Sequence, residues 1–349
     1  MKSKHANIAF FVPHAGCPHS CSFCNQKQIS GQHEALTVEM IIKTLKDIKP
    51  DLLRARRTEL AFFGGSFTAI ERDKMTAYLE AANKFKNSHI FEGIRISTRP
   101  DAISDEILEL LKRYNVTSIE LGAQSTDDTV LAFNQRGHTA RDIREASHKV
   151  KNYGFSLGLQ MMTGLYKSTI ESDIKTCEDI IALKPDTVRI YPTVIIKGTR
   201  LDELYRSGEY TVQTLPGAVS LCARLLRMFY DAGIRVIRLG LHSGGAVEEG
   251  YTAGPYHPAF GELCESRLYL DSAFEKLYLL PKGQYTIFVE ETQVSKMIGQ
   301  KRMNIDLLKR EGYNCTVKGK SAVARYETEI EKKRNGETDV FKVIGNARV

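Results

Sequence analysis

Short apolar runs alternate with longer amphipathic stretches along most of the chain, and that alternation limits the fold more than any other feature. The runs are Ile8 to Val12, Leu60 to Phe63, Gly93 to Ser97, Ser118 to Leu121, Leu157 to Met161, Thr187 to Tyr191 and Arg235 to Leu239. Between them lie helical patterns such as Val38 to Ile48, Ile103 to Tyr114, Ala140 to Tyr153 and Thr169 to Leu183. Strand, helix, strand at this spacing implies parallel pairing through right-handed crossovers. The expected architecture is α/β: a partial (β/α) TIM-type barrel of about six parallel strands over residues 1–280, followed by a small basic α+β domain over residues 281–349. In such a barrel the chemistry gathers at the C-terminal ends of the strands.

Unusual residues cluster where that rule expects them. Gly64-Gly65-Ser66 follows the second run, Thr98-Arg99-Pro100 the third, Gly122-Ala123-Gln124-Ser125 the fourth and Pro192-Thr193 the sixth. Any one of these could be turn punctuation. Their recurrence places them on one rim.

With 42% hydrophobic and 26% charged residues, the composition is that of a globular protein and excludes collagen-like and disordered classes. No run of about 18 apolar residues exists and the first residues lack a signal-peptide core, so no membrane span and a cytoplasmic location are expected. Net charge is +7, and Lys282 to Val349 holds 14 basic against 9 acidic residues, which suggests a polyanionic partner. After Pro281 come a run at Tyr285 to Val289, a basic helix at Met297 to Arg310 and further runs at Asn314 to Val317 and Phe341 to Ile344. The segment IGQKRMNIDLLKREGY resembles the loop and helix by which KH domains clamp a nucleic-acid backbone. Arg302 stands where such a loop has its second glycine, and a solvated basic helix is the competing reading.

Three of the seven cysteines fall within eight residues, in CPHSCSFC, directly after the first run. Thiolates at Cys17, Cys21 and Cys24 can hold three irons of a 4Fe-4S cube and leave the fourth iron open. Zinc, with His14 or His19 as a fourth ligand, is the competitor, although structural zinc favours paired CxxC or HxxxH spacing. Cys177, Cys222, Cys264 and Cys315 are dispersed and read as small core hydrophobes. Cys264 and Tyr256 are weaker candidates for hydrogen-atom donors, and His138 and His257 read as structural.

The cysteine triplet resembles the signature of the radical S-adenosylmethionine (SAM) superfamily. The resemblance implies that SAM chelates the open iron through its amino and carboxylate groups. An external electron donor then drives reductive cleavage to a 5'-deoxyadenosyl radical, with the protein supplying position and exclusion of water. It also implies roles for rim residues. Phe23 corresponds to an aromatic near the adenine. The segment FFGGSFT, with Gly64, Gly65 and Ser66, is similar to the turn that meets the SAM amino group. ELGAQS and NQRGHT are similar to segments in which a Gln (here Gln124) meets the ribose and an Arg (here Arg136) the carboxylate.

Five segments in order, ISTRPDAIS, ELGAQS, NQRGHT, RIYPTVIIKGTRLDELYRSGEY and GPYHPAFGELCES, resemble the radical SAM domain of the Elongator catalytic subunit family, from about residue 6 to about residue 270. That resemblance implies tRNA, through its wobble uridine, as substrate, with Lys197 where the family carries a basic or polar residue. Two departures stand out. No acetyl-CoA loop of the R-x-x-G-x-G type is visible, which puts acetyl-CoA-dependent chemistry in doubt, and Ser97 occupies the slot of a family Glu. Oxygen-independent coproporphyrinogen oxidase is the rival enzyme reading, weakened by Phe11 at the position of that family's Tyr. A non-catalytic RNA-binding module with a structural or redox-sensing cluster is the alternative from another class.

Overall fold

The computed structural model describes residues 5–12, 17, 21–25, 34–52, 57–86, 91–241, 245–333 and 338–339. The chain divides into two compact units, Met1–Leu215 with Phe229–Tyr256, and Pro216–Met228 with His257–Val349.

In the first unit the strands β1 (His5–Val12), β2 (Arg57–Gly64), β3 (Gly93–Thr98), β4 (Val116–Gln124), β5 (Ser156–Thr163), β6 (Thr187–Pro192) and β8 (Arg235–Leu239) form one parallel sheet in that order. A short antiparallel pair, β7 (Ile195–Ile196) and β9 (Tyr251–Ala253), stands apart from it. The helices are α1 (Val38–Leu52), α2 (Arg72–Lys86), α3 (Asp105–Arg113), α4 (Asp128–Phe133), α5 (Ala140–Asn152), α6 (Ile170–Leu183), α7 (Arg200–Arg206), α8 (Leu215–Asp231), which runs on into the second unit, and α9 (Gly245–Gly250). All seven apolar runs are strands of this partial barrel, which has seven parallel strands where about six were expected.

Alternation along the strands separates two faces. Leu60, Phe62, Ile94, Ile96, Ile119, Leu121, Leu157 and Ile190 are almost wholly buried, and Phe62 stacks against Tyr78 of α2, which marks this as the helix-covered face. Burying each such side chain contributes roughly 1.5–3 kcal/mol. The opposite face is polar, with Glu59, Arg95, Glu120, Gln160 and Arg189. Arg189 of β6 lies 5.0 Å from the ring centre of Phe63 on β2, four strands away. Strands spaced about 4.8 Å apart in a flat sheet could not bring those residues together, so the sheet curls with its polar face inward.

The helices that follow the strands start with capping residues. Asp127 accepts from the N–H groups of Thr129 and Val130 at the start of α4. Thr139 with Asp142 and Thr169 with Ser172 form reciprocal capping boxes on α5 and α6. Among the described residues no helix is long and apolar enough to cross a membrane.

The second unit contains α10 (Phe260–Leu277), β10 (Gly283–Val289), α11 (Val294–Ile298), α12 (Met303–Arg310), β11 (Tyr313–Gly319), β12 (Glu329–Lys333) and β13 (Thr338–Asp339), with sheet order β11-β10-β12-β13. It begins upstream of residue 281 because α10 belongs to its core: Tyr269 packs against Tyr326, and Ser272 bonds Thr328. The basic helix expected over Met297 to Arg310 is two helices. Gly299 and the left-handed residues Lys301 and Arg302 break it. The run at Phe341 to Ile344 lies outside the described residues. Strand β12 escapes a reading by apolar runs because Ile330 alternates with Glu329 and Glu331.

Candidate functional site

The cysteine loop leaves β1 at the rim and is tied to two neighbouring segments. Ser22, fully buried, donates through its backbone N–H to the Asn134 carbonyl at 3.2 Å and through Oγ to Asn134 Oδ1 at 2.7 Å, while its own carbonyl accepts from Leu201 N–H at 2.7 Å. Asn134 is fixed in turn by donating to the carbonyls of Val130 and Tyr166. Phe23 is half-buried and packs against two apolar groups, one containing Ile195, Leu201 and Tyr210 and the other Val130, Met162 and Leu165. Cys24 N–H closes a turn onto the Cys21 carbonyl at 3.1 Å. Cys17, Cys21 and Cys24 are all half-buried and in no disulfide.

The other rim residues meet this loop in pairs. Gly64 sits at φ +106°, and a Cβ there would come within 3.1 Å of the Val12 backbone, so glycine alone fits where β2 ends over β1. Gly65 N–H then donates to the Val12 carbonyl at 2.8 Å. The next residue, Ser66, gives a backbone hydrogen bond to Cys17. Arg136 donates from Nη1 to Cys21 Sγ at 3.0 Å and from Nη2 to the Gly122 carbonyl at 2.7 Å, with Phe23 under its guanidinium at 6.0 Å. Gln124 follows a register shift in β4, takes φ +68°, and shares the space over Gly122 with Arg136. The structure therefore links Cys17 to Ser66, and Cys21 to Arg136, Phe23, Gly122 and Gln124.

Electrostatics at the thiols are balanced by opposing causes. Burial pushes the Cys17 thiol up, the Ser66 N–H pulls it back, the neighbouring Cys21 raises it, and the cations of Arg99 and Arg136 lower it. Arg99 belongs to the rim cluster after the third run, but the sequence assigns it no role beside the thiols. It is buried, held by Asp101 through bonds of 2.9 and 2.7 Å, and its charge acts on both Cys17 and Cys21. In TRPD an arginine reads as part of a turn, and the burial that gives it a role has no local signature.

Among the described residues no three His, Cys, Asp or Glu side chains are grouped to hold a single metal ion. A 4Fe-4S cube asks for a different arrangement, one thiolate per iron. His14 and His19, the other ligands considered for zinc, lie outside the described residues. The surroundings fit a polar, anionic group: Ser66 Oγ, Arg99 Nη1, Arg136 Nε and His138 Nδ1 are all buried without a partner in the structure. Buried polar atoms are ordinarily paired, and three of these four belong to residues that act on the cysteine thiols, Ser66, Arg99 and Arg136, which suits a further group there.

The remaining candidates are structural in place. Lys197 is exposed and donates to the Glu249 carbonyl at 3.3 Å. His257 Nδ1 accepts from Ala259 N–H, and Cys177, Cys222, Cys264 and Cys315 are buried. Ser97 lies on β3 opposite Glu120 of β4.

Two buried groups make stability depend on pH in opposite senses. Burial pushes the Asp173 carboxyl up to about 7, although it accepts from Gly164 N–H at 2.8 Å. Between about pH 4 and 7 the unfolded chain has released that proton while the folded chain holds it, so Asp173 lowers stability as pH rises through that window. Burial, aided by Arg136, pushes His138 down to about 4. Below about pH 6.5 the unfolded imidazole takes a proton that the folded one refuses, so His138 lowers stability as pH falls. We expect the melting-temperature advantage of Asp173→Asn over wild type to grow from pH 4 to pH 7. An advantage that stays flat would show that Asp173 ionises normally in the fold.

The family model for the radical SAM superfamily matches residues 11–180, and that for the radical SAM C-terminal domain matches residues 185–269. The chain belongs to the radical SAM superfamily. Enzymes of that superfamily use a 4Fe-4S cluster and SAM. Elongator complex protein 3 of Homo sapiens is 30% identical over 192 residues, covering 49% of this chain and 35% of that protein. The tRNA uridine(34) acetyltransferase of Methanocaldococcus jannaschii is 33% identical over 174 residues, covering 44% and 32%. This radical SAM chain thus spans about a third of the length of the curated relatives it matches. In fold it is similar to the archaeal Elp3 of Methanocaldococcus infernus lacking residues 1–46, with a TM-score of 0.61 at 22% identity over 81% of this chain and 65% of that one.

Proposed function

We propose that the chain cleaves SAM reductively and acts on RNA, with tRNA as the foremost substrate. In this reading Cys17, Cys21 and Cys24 hold the 4Fe-4S cluster, and SAM lies against Gly64, Gly65, Ser66, Phe23, Gln124 and Arg136. The observation that carries it is Arg136, whose guanidinium bridges the cysteine loop and the β4 rim, at Cys21 and Gly122, and keeps Nε buried and unpartnered. That leaves a planar, permanently charged donor for a carboxylate. When bound, the cluster and SAM supply the one-electron cleavage chemistry, for which an external donor provides the electron.

The chain's own residues position and shield. The Gly64-Gly65 turn lets backbone approach without a side chain in the way, and the Ser22–Asn134 bonds fix the cysteine loop. Phe23, seated between two apolar groups, closes one side against water. The RNA reading draws on the relatives named as Elongator complex protein 3 and tRNA uridine(34) acetyltransferase, and on the basic tail. A cytoplasmic location accords with it.

The test uses anaerobically reconstituted protein, dithionite and SAM, with 5'-deoxyadenosine quantified by mass spectrometry with and without bulk tRNA. Deoxyadenosine that tRNA increases several-fold is the expected result. Formation indifferent to tRNA would overturn the substrate class, and no product from protein with an intact cluster would overturn the enzymatic reading.

A further inference from the structure

The second unit carries a cationic surface that the barrel chemistry does not use. Strand β10 leads through α11 to the turn Gly299–Arg302, then to α12, and α12 returns into β11, which runs parallel to β10. Residue 318 on β11 pairs with residue 288, so Lys318 lies at the end of the sheet from which β10 departs toward that turn.

The turn is held in place. Asn304, buried, donates through Nδ2 to Ser266 Oγ at 2.9 Å and to the Met297 carbonyl at 3.1 Å. Gly299 has φ +79°, and a Cβ there would sit 2.9 Å from Asn304 Cγ. Lys301 and Arg302 both take left-handed backbone, at φ 49° and 65°, and both are exposed.

Charge is distributed unevenly over this unit. Lys296 and Arg325 are paired with Glu265, and Lys320 with Glu329. Lys301, Arg302, Lys309, Arg310 and Lys318 are exposed, and among the described residues none of them has a carboxylate partner. On α12 the exposed positions Met303, Leu307 and Arg310 follow at i, i+4 and i+7, with Met303 59% and Leu307 38% exposed and Asp306 the single acid of that helix. Beside the helix, β11 is the edge of its sheet, so one side of its backbone is unpaired among the described residues.

We propose that this face binds single-stranded RNA, the cations taking phosphates and the bases lying against Met303, Leu307 and the edge of β11. Unneutralised cations alone would suit any polyanion. Apolar side chains interleaved with them, next to free backbone donors and acceptors, suit a strand whose bases are unpaired, because a duplex keeps its base faces stacked inside and presents phosphates and 2'-hydroxyls instead. The inference builds on the RNA reading above and places RNA contact outside the barrel. It also explains why Arg302 is accepted in a left-handed position that glycine fills more easily: the charge is what the position is for.

The test uses the full chain and a fluorescein-labelled single-stranded RNA of roughly 12 nucleotides, followed by anisotropy over a salt series. The variant pairs Lys301→Gln with Arg302→Gly, since glycine suits the left-handed backbone and should leave the melting temperature no lower. We expect affinity to fall at least ~10-fold and the slope of log K against log salt to fall by about 1.4, some 0.7 for each phosphate no longer neutralised. Arg302→Lys should restore most of the affinity. Equal affinity and slope in wild type and variant would overturn the proposal, and so would equal binding of duplex RNA or of a poly-glutamate peptide of matched charge. SAM cleavage without RNA reads the barrel by itself: its loss in wild type would sink the enzymatic reading and leave this one standing.

Discussion

Cys21→Ser should lose the visible absorbance of the reconstituted cluster and lower 5'-deoxyadenosine formation by at least ~10³-fold, to background. A serine hydroxyl stays protonated where a thiolate is needed, so conservative size does not rescue ligation. Among the three cysteines, Cys21 gives the sharpest test because its surroundings are fixed independently of any metal. The adjacent Ser22 is buried and bonded to Asn134 and Leu201, and Cys21 Sγ receives Arg136 Nη1 at 3.0 Å, which a serine Oγ can also accept. The loop should therefore keep its path in the variant, and the apoprotein melting temperature should stay near that of wild type. Retention of both absorbance and product would show that the cluster is held elsewhere. A large fall in apoprotein stability would show that the thiol serves the fold.

The strands were legible from sequence because they carry apolar residues, mostly Ile, Leu, Phe and Val, in runs of four or five, most of them followed by Gly, Pro or Thr. The cysteine loop was legible from spacing alone. What stayed hidden depends on partners distant in sequence. Arg95 and Arg189 look like polar interruptions of β3 and β6, and only curling of the sheet brings Glu120 to them, 25 and 69 residues away. Arg99 and Asn134 sit inside segments that sequence reasoning singled out. Arg99 works through burial and charge beside the thiols, and Asn134 through a bond across 112 residues to the cysteine loop, for which local pattern has no sign. The break at Gly299 shows the converse. The helical periodicity of Met297 to Arg310 is genuine, but the non-helical backbone at Gly299 and the left-handed Lys301 and Arg302 interrupt it.

Glu120→Ala should destabilise the protein by about 3–5 kcal/mol, the cost of leaving a buried cation uncompensated. Glu120 is 4% exposed and accepts from Arg95 Nη1 at 3.0 Å and Arg189 Nη2 at 3.0 Å. To reach β6 its side chain crosses β5 above Gly158, where a Cβ would lie 2.7 Å from Glu120 Cγ. Arg95 keeps a second carboxylate, Glu59, at 2.8 Å, whereas no second carboxylate pairs with Arg189 among the described residues. The loss should therefore fall on Arg189, whose remaining partners are the Tyr191 side chain and the face of Phe63. Glu120→Gln with Arg189→Gln removes both charges and keeps hydrogen-bonding groups of similar reach, so it should recover more than half of the stability lost by Glu120→Ala. Chemical denaturation of the three proteins at one pH measures the difference. A cost below about 1 kcal/mol for Glu120→Ala would mean that water screens the pair as it does at a surface. Because Glu120 pairs side by side with Ser97 and lies two residues before Gly122, a spared fold with impaired SAM binding would instead place this carboxylate's main effect on the rim that carries Arg136 and Gln124.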